Sequence, residues 1–94
     1  MTAPSPVLVL YSKPGCGLCD ETRHLVTALL GERAASGLLT PVVEERDITT
    51  NERWERAFFL EIPVLEIGER RLALATSMGK IRRFLSDSLD PVTA

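Results

Sequence analysis

Val7-Leu8-Val9-Leu10-Tyr11-Ser12-Lys13-Pro14-Gly15-Cys16-Gly17-Leu18-Cys19 joins an apolar run, a Pro-Gly break and two thiols, and helix-patterned sequence follows directly. Residues 7–11 are apolar throughout, as expected of a central strand covered on both faces. Pro14 and Gly15 stop that strand and turn the chain. Over 17–35, Leu18, Thr22, Leu25, Val26, Leu29 and Leu30 recur at i, i+4, i+7, i+8, i+11 and i+12, the period of a helix with one inward stripe. The two cysteines therefore fall at a strand-to-helix junction. There the unpaired N–H groups of the first turn and the positive end of the helix dipole favour a thiolate over a thiol.

Outward from this unit, Gly37 is suited to end the helix. Pro41-Val42-Val43-Glu44-Glu45-Arg46 reads as a second, shorter strand closing at Asp47. Thr49 and Glu52 have capping-box spacing, which predicts a second helix from Thr50 that turns Trp54, Ala57 and Phe58 inward. Pro63-Val64-Leu65-Glu66-Ile67 and Arg70-Arg71-Leu72-Ala73-Leu74 flank Gly68-Glu69, the pattern of a tight hairpin. Ser77 is placed to cap a last helix with Met78, Ile81, Phe84 and Leu85 inward. The order is βαβαββα, an α/β domain whose four-stranded mixed sheet carries three helices on its two faces. Residues 1–6 read as a loose tail, 7–89 as the domain and 90–94 as a loose C-terminus.

The chain has 94 residues, 45% of them hydrophobic, enough for one domain with a packed core. A formal net charge of −2 supplies no basic footprint for nucleic acid. Arg70-Arg71 and Lys80 with Arg82-Arg83 read as solvated faces. No apolar run approaches the ~20 residues of a membrane span. The start of the chain lacks the charged and apolar regions of a secretion signal, so the expected compartment is the cytoplasm. The expected state is a monomer.

In a reducing compartment a Cys-x-x-Cys pair points to catalysis or metal binding more than to a structural staple. Cys16, where the chain leaves the sheet, is expected to be exposed. Cys19, one turn on, is expected to be shielded. Dithiol–disulfide exchange needs that asymmetry, because an accessible thiolate attacks and a neighbouring thiol resolves the mixed disulfide. Lys13 adds a positive charge near Cys16, whereas Asp20 and Glu21 oppose the thiolate if they lie close. Gly15 and Gly17 leave room for a bulky partner. A closed zinc site usually wants four ligands, and the chain has two cysteines and one histidine. His24 lies roughly 140° around the helix from Cys19, so no metal site is assigned. Ile62-Pro63, at the start of the third strand, is the second signal. A cis bond there would let Ile62 offer its N–H and C=O beside the sulfurs to an extended substrate segment.

Tyr11 to Cys19, the Ile62-Pro63-Val64 step and the element order together resemble the glutaredoxin branch of the thioredoxin-like superfamily. They are similar in particular to small bacterial glutaredoxin-like proteins. The resemblance covers 7–89. It implies a thioredoxin-like fold, Cys16 as nucleophile, Cys19 as resolving thiol, Pro63 in cis, and Lys13 where a glutathione carboxylate is contacted. The inner pair is Gly17-Leu18, where glutaredoxins usually carry Pro-Tyr. The stretch Leu74-Ala75-Thr76-Ser77-Met78-Gly79 lacks their glycine pair and acid, which leaves Ser77 and the last helix start to receive a carboxylate. The expected function is thiol–disulfide exchange on protein or glutathione disulfides, with Cys16 and Cys19 catalytic and Lys13, Ile62, Pro63 and Ser77 binding substrate. No bound cofactor is required, and glutathione or a protein dithiol would serve as reductant. Two other classes fit the same residues. One is an iron–sulfur or metal-binding protein in which two chains share a cluster. The other is a non-catalytic redox-sensing interaction domain.

Overall fold

A computed structural model describes residues 5–90. Strand β1 (Val7–Ser12) leads to helix α1 (Gly17–Ala35) and strand β2 (Val42–Asp47). A single 3-10 turn (Ile48–Thr50) then leads to helix α2 (Glu52–Phe58). Strands β3 (Val64–Ile67) and β4 (Arg70–Leu72) form a hairpin, and helix α3 (Met78–Leu89) follows. The sheet order is β2-β1-β3-β4. β1 runs parallel to β2, with Tyr11 opposite Arg46, and antiparallel to β3, with Tyr11 opposite Val64. The fold is the α/β arrangement expected, with β1 between two neighbours.

Alternation along β1 sends Leu8 and Leu10 to one face of the sheet and Val9 and Tyr11 to the other. The first face packs against α1 and α3 through Val26, Leu29, Leu65, Ile81, Phe84 and Leu85. On the second face Val9, Tyr11, Ile48, Phe58, Ile62 and Val64 form a smaller core that also takes in Cys19. Tyr11 anchors it, its ring centroid 4.4 Å from Phe58 and 5.9 Å from Trp54, while Arg46 lies 5.2 Å over Trp54. The Tyr11 hydroxyl donates to Glu66 and accepts from Arg46. Burial first, then Glu66, pushes the phenol above its ordinary pKa. The basic clusters are solvated, and three of their five members are paired: Arg71 with Glu66, Arg82 with Glu32 and Arg83 with Asp87.

Several local expectations are corrected. Asp47 captures the Thr49 N–H and hydroxyl and closes a 3-10 turn, so Thr49 caps no helix. α2 starts two residues beyond Thr50, with Asn51 accepting from Arg53 N–H and Trp54 N–H. With only seven residues in α2, Phe58 and part of Trp54 reach the core, and Ala57 is exposed. Leu18 and Met78 are also exposed, because each sits on the first turn of its helix, beyond the end of the sheet. Gly68 turns the hairpin at a φ of 59°. β4 stops at Leu72 rather than Leu74, because Leu74 has a φ of 49°. That left-handed backbone breaks the ladder and costs a residue with a side chain about 1–2 kcal/mol.

The expected loose ends lie mostly outside the described residues. Of the three members that are described, Ser5, Pro6 and Asp90, the last two are held. The Pro6 carbonyl accepts from Val42 N–H at 2.9 Å, and Asp90 is paired with Arg33. No described helix is long and apolar enough to cross a membrane.

Candidate active site: a dithiol at the head of the first helix

The site begins with the turn between β1 and α1. Gly15 has a φ of 75°, a conformation that any side chain would strain, and it swings Cys16 to the N-cap position of α1. Cys16 keeps extended backbone, and its sulfur accepts from Cys19 N–H at 3.1 Å. Cys16 and Cys19 are joined as a disulfide, with their Cα atoms 5.2 Å apart. Cys16 is half-buried and Cys19 is 0% exposed. Cys16 is therefore partly open to solvent while packed on the edge of the core that encloses Cys19 with Val9, Tyr11 and Ile62.

The surrounding charges follow from α1 and β2. Asp20 bonds Arg23, which also holds Glu45, so one guanidinium is shared between these two acids. Lys13 is exposed, in no ion pair among the described residues. It opens onto a groove of about 400 Å³ lined also by Ile48, Thr49, Glu55, Arg56 and Phe59. His24 is exposed on α1. No three His, Cys, Asp or Glu side chains gather as a metal site among the described residues.

Ile62 and Pro63 stand at the same end of the sheet, because β3 starts where β1 ends. The Ile62–Pro63 peptide is cis. One expectation is overturned here: Ile62 N–H is not free, since it donates to the Phe58 carbonyl at 3.0 Å. The short α2 unwinds through Glu61 and Ile62, and the Phe58 carbonyl accepts from both N–H groups. The Ile62 carbonyl accepts no protein hydrogen bond among the described residues. Ser77 reaches the same end at the N-cap of α3, where its hydroxyl oxygen accepts from Lys80 N–H at 3.3 Å. That oxygen serves its own helix. The segment before it is tied down as well, with Ala75 N–H on Pro63 and the Thr22 hydroxyl on the Ala75 carbonyl.

The sequence reading missed Phe59, Leu60 and Leu74, which are exposed around this end. The signal was present in the case of Phe59-Leu60, an apolar pair beyond the end of the α2 stripe. Nothing in the spacing marks Leu74.

A mixed four-stranded sheet flanked by three helices, with a Cys-x-x-Cys pair at the head of the first, defines a thioredoxin-like domain. The match to known families narrows this: residues 7–90 fit the Glutaredoxin-like domain (DUF836). The chain belongs to that family. No curated protein matches it.

Proposed function

We propose that the protein is a thiol–disulfide oxidoreductase in which Cys16 attacks and Cys19 resolves. The observation that carries this reading is the difference in burial of the two linked sulfurs at the start of a nineteen-residue helix. Reduction of the internal bond leaves the Cys16 sulfur facing the Cys19 N–H and the positive end of the α1 dipole, both of which stabilise a thiolate. That thiolate attacks one sulfur of a substrate disulfide, and the substrate S–S bond breaks with release of the first thiol. Cys19, shielded from solvent and one turn away, then gives up its proton and attacks the Cys16 sulfur. The second substrate thiol leaves, and the Cys16–Cys19 bond re-forms. The substrate has gained two electrons and two protons, which two glutathione molecules or a protein dithiol restore to the enzyme.

Lys13 borders the approach to Cys16, and the free Ile62 carbonyl beside Pro63 is an acceptor for a substrate backbone N–H. Ile62 therefore contributes one hydrogen bond to docking instead of two. Separating the two cysteines tests the reading. Cys19→Ser is expected to accumulate a mixed disulfide on Cys16, read by intact mass, whereas Cys16→Ser accumulates none. Equal trapping by both variants would overturn the assigned roles.

A further inference from the structure

We propose that Arg23 is a positioning residue for the exchange reaction: by holding the Asp20 carboxylate, it keeps that acid from opposing the Cys16 thiolate. The inference rests on the exchange reading above and identifies a group that adjusts the acidity of its nucleophile. α1 lines up the three side chains. Cys16 is the N-cap, and Asp20 and Arg23 follow at i+4 and i+7, on one stripe of the helix. Asp20 N–H donates to the Cys16 carbonyl at 3.1 Å, which sets the two residues one turn apart. Helical side chains tilt toward the N-terminus, so Asp20 leans toward the Cys16 end of the stripe. Glu21 and His24, each one position further on, are turned about 100° away from it. A free carboxylate at the place of Asp20 would raise a nearby thiol pKa and work against the helix dipole.

Arg23 meets that carboxylate with a fork. Nη1 lies 2.7 Å from Asp20, while Nε and Nη2 each lie 2.7 Å from Glu45 on β2. One guanidinium thus ties the start of α1 to the edge strand, and the bonds to Glu45 and then Asp20 raise its own pKa. A lysine ammonium has no planar fork with which to span both acids. The bridge also borders the reactive turn. Asp20, Arg23 and Glu45 line a cavity of about 190 Å³ shared with the Ser12–Gly15 turn that delivers Cys16. The other charges around this end are Lys13 in the turn, Asp47 on β2, and Glu55 and Arg56 across the Lys13 groove. Glu61 beside Ile62 and Lys80 in the first turn of α3 complete the set. These groups are common to every variant below and drop out of the comparison.

The test follows native iodoacetamide labelling of Cys16 against pH at low salt, in the reduced full chain, with each cysteine mapped by mass. It compares the wild type, Arg23→Gln, Asp20→Asn and the double variant. Arg23→Gln removes a positive charge and releases the carboxylate, and is expected to raise the Cys16 midpoint by about half a pH unit or more. Asp20→Asn alone should shift it less than half as far. Added to Arg23→Gln, it should bring the midpoint back near the wild type, because no carboxylate is left to release. Glutamine forms helix as well as arginine does, and Cys19 that stays unlabelled until unfolding reports an intact fold. Arg23→Met, equally helix-forming, repeats the comparison with a second side chain. A low wild-type midpoint that neither Arg23 variant raises overturns the clamp and leaves the exchange reading standing. So does a rise that Asp20→Asn fails to reverse, since Arg23 would then act as an independent charge. A wild-type midpoint at that of an ordinary thiol sinks the exchange reading, and the clamp with it.

Discussion

The two ends of α1 are built in opposite ways. At the C-terminal end Arg33 is buried, with Nε donating to the Leu39 carbonyl at 2.9 Å and its terminal nitrogens to Asp90. Ser36 N–H and Gly37 N–H close on last-turn carbonyls, with Gly37 at a φ of 71°. Leu29 and Leu85 lie buried in the same core. Every polar group named there has a partner, and Leu29 and Leu85 are covered, although Leu38 and Leu39 just beyond the helix are exposed. At the N-terminal end the pattern reverses. Leu18 stands in solvent, the Cys16 sulfur is partly open, and Leu74 sits in left-handed backbone. Satisfied polar groups and buried leucines store stability at one end, which leaves the other free to give surface and reactivity to a partner.

Truncating the same residue type at each end separates the two most widely. Leu29→Ala empties covered volume and is expected to cost about 2–5 kcal/mol in urea denaturation. Leu60→Ala, at the exposed end, should change stability by less than about 0.5 kcal/mol. Comparable losses would mean that the dithiol end is part of the core after all.

A smaller effect follows from the Arg33–Asp90 pair. The hydrogen bond from Arg33 holds the Asp90 carboxyl below its ordinary value of 3.8. A carboxyl whose folded pKa is depressed contributes stability that is fully present above its unfolded value and is lost as pH falls through the lower folded value. Between pH 5 and 2 the wild type should therefore lose more unfolding free energy than Asp90→Asn. Parallel acid limbs for the two proteins would show that the pair contributes nothing to the stability of that end.

What was legible in the chain is what neighbours in sequence decide. The apolar β1, the Pro14-Gly15 break and the α1 stripe specify a strand, a turn and a helix within one continuous stretch. Gly68 and Gly37 mark positive φ through the same short-range sterics. The α2 start was misread because two caps compete within five residues, and Asp47 reaches Thr49 before Thr49 can act on Glu52. Long-range partners were not legible. Arg33 and Asp90 are 57 residues apart, and only the packing of α3 across α1 joins them. The loss of Ile62 N–H to Phe58 depends on how few turns α2 completes, which periodicity does not fix. Cys16, Cys19, Lys13, Ile62, Pro63 and Ser77 do share one end of the molecule. Phe59, Leu60 and Leu74, exposed around that end, escaped because they come from separate segments.

The most direct measurement is native alkylation of the fully reduced protein by iodoacetamide from pH 5 to 10, with each cysteine mapped by mass spectrometry. The expected result is rapid labelling of Cys16 alone, with a midpoint below the ~8.5 of an ordinary thiol, and labelling of Cys19 only after unfolding. Equal labelling of both cysteines, or a Cys16 midpoint at or above ~8.5, would contradict an activated sulfur at the head of α1.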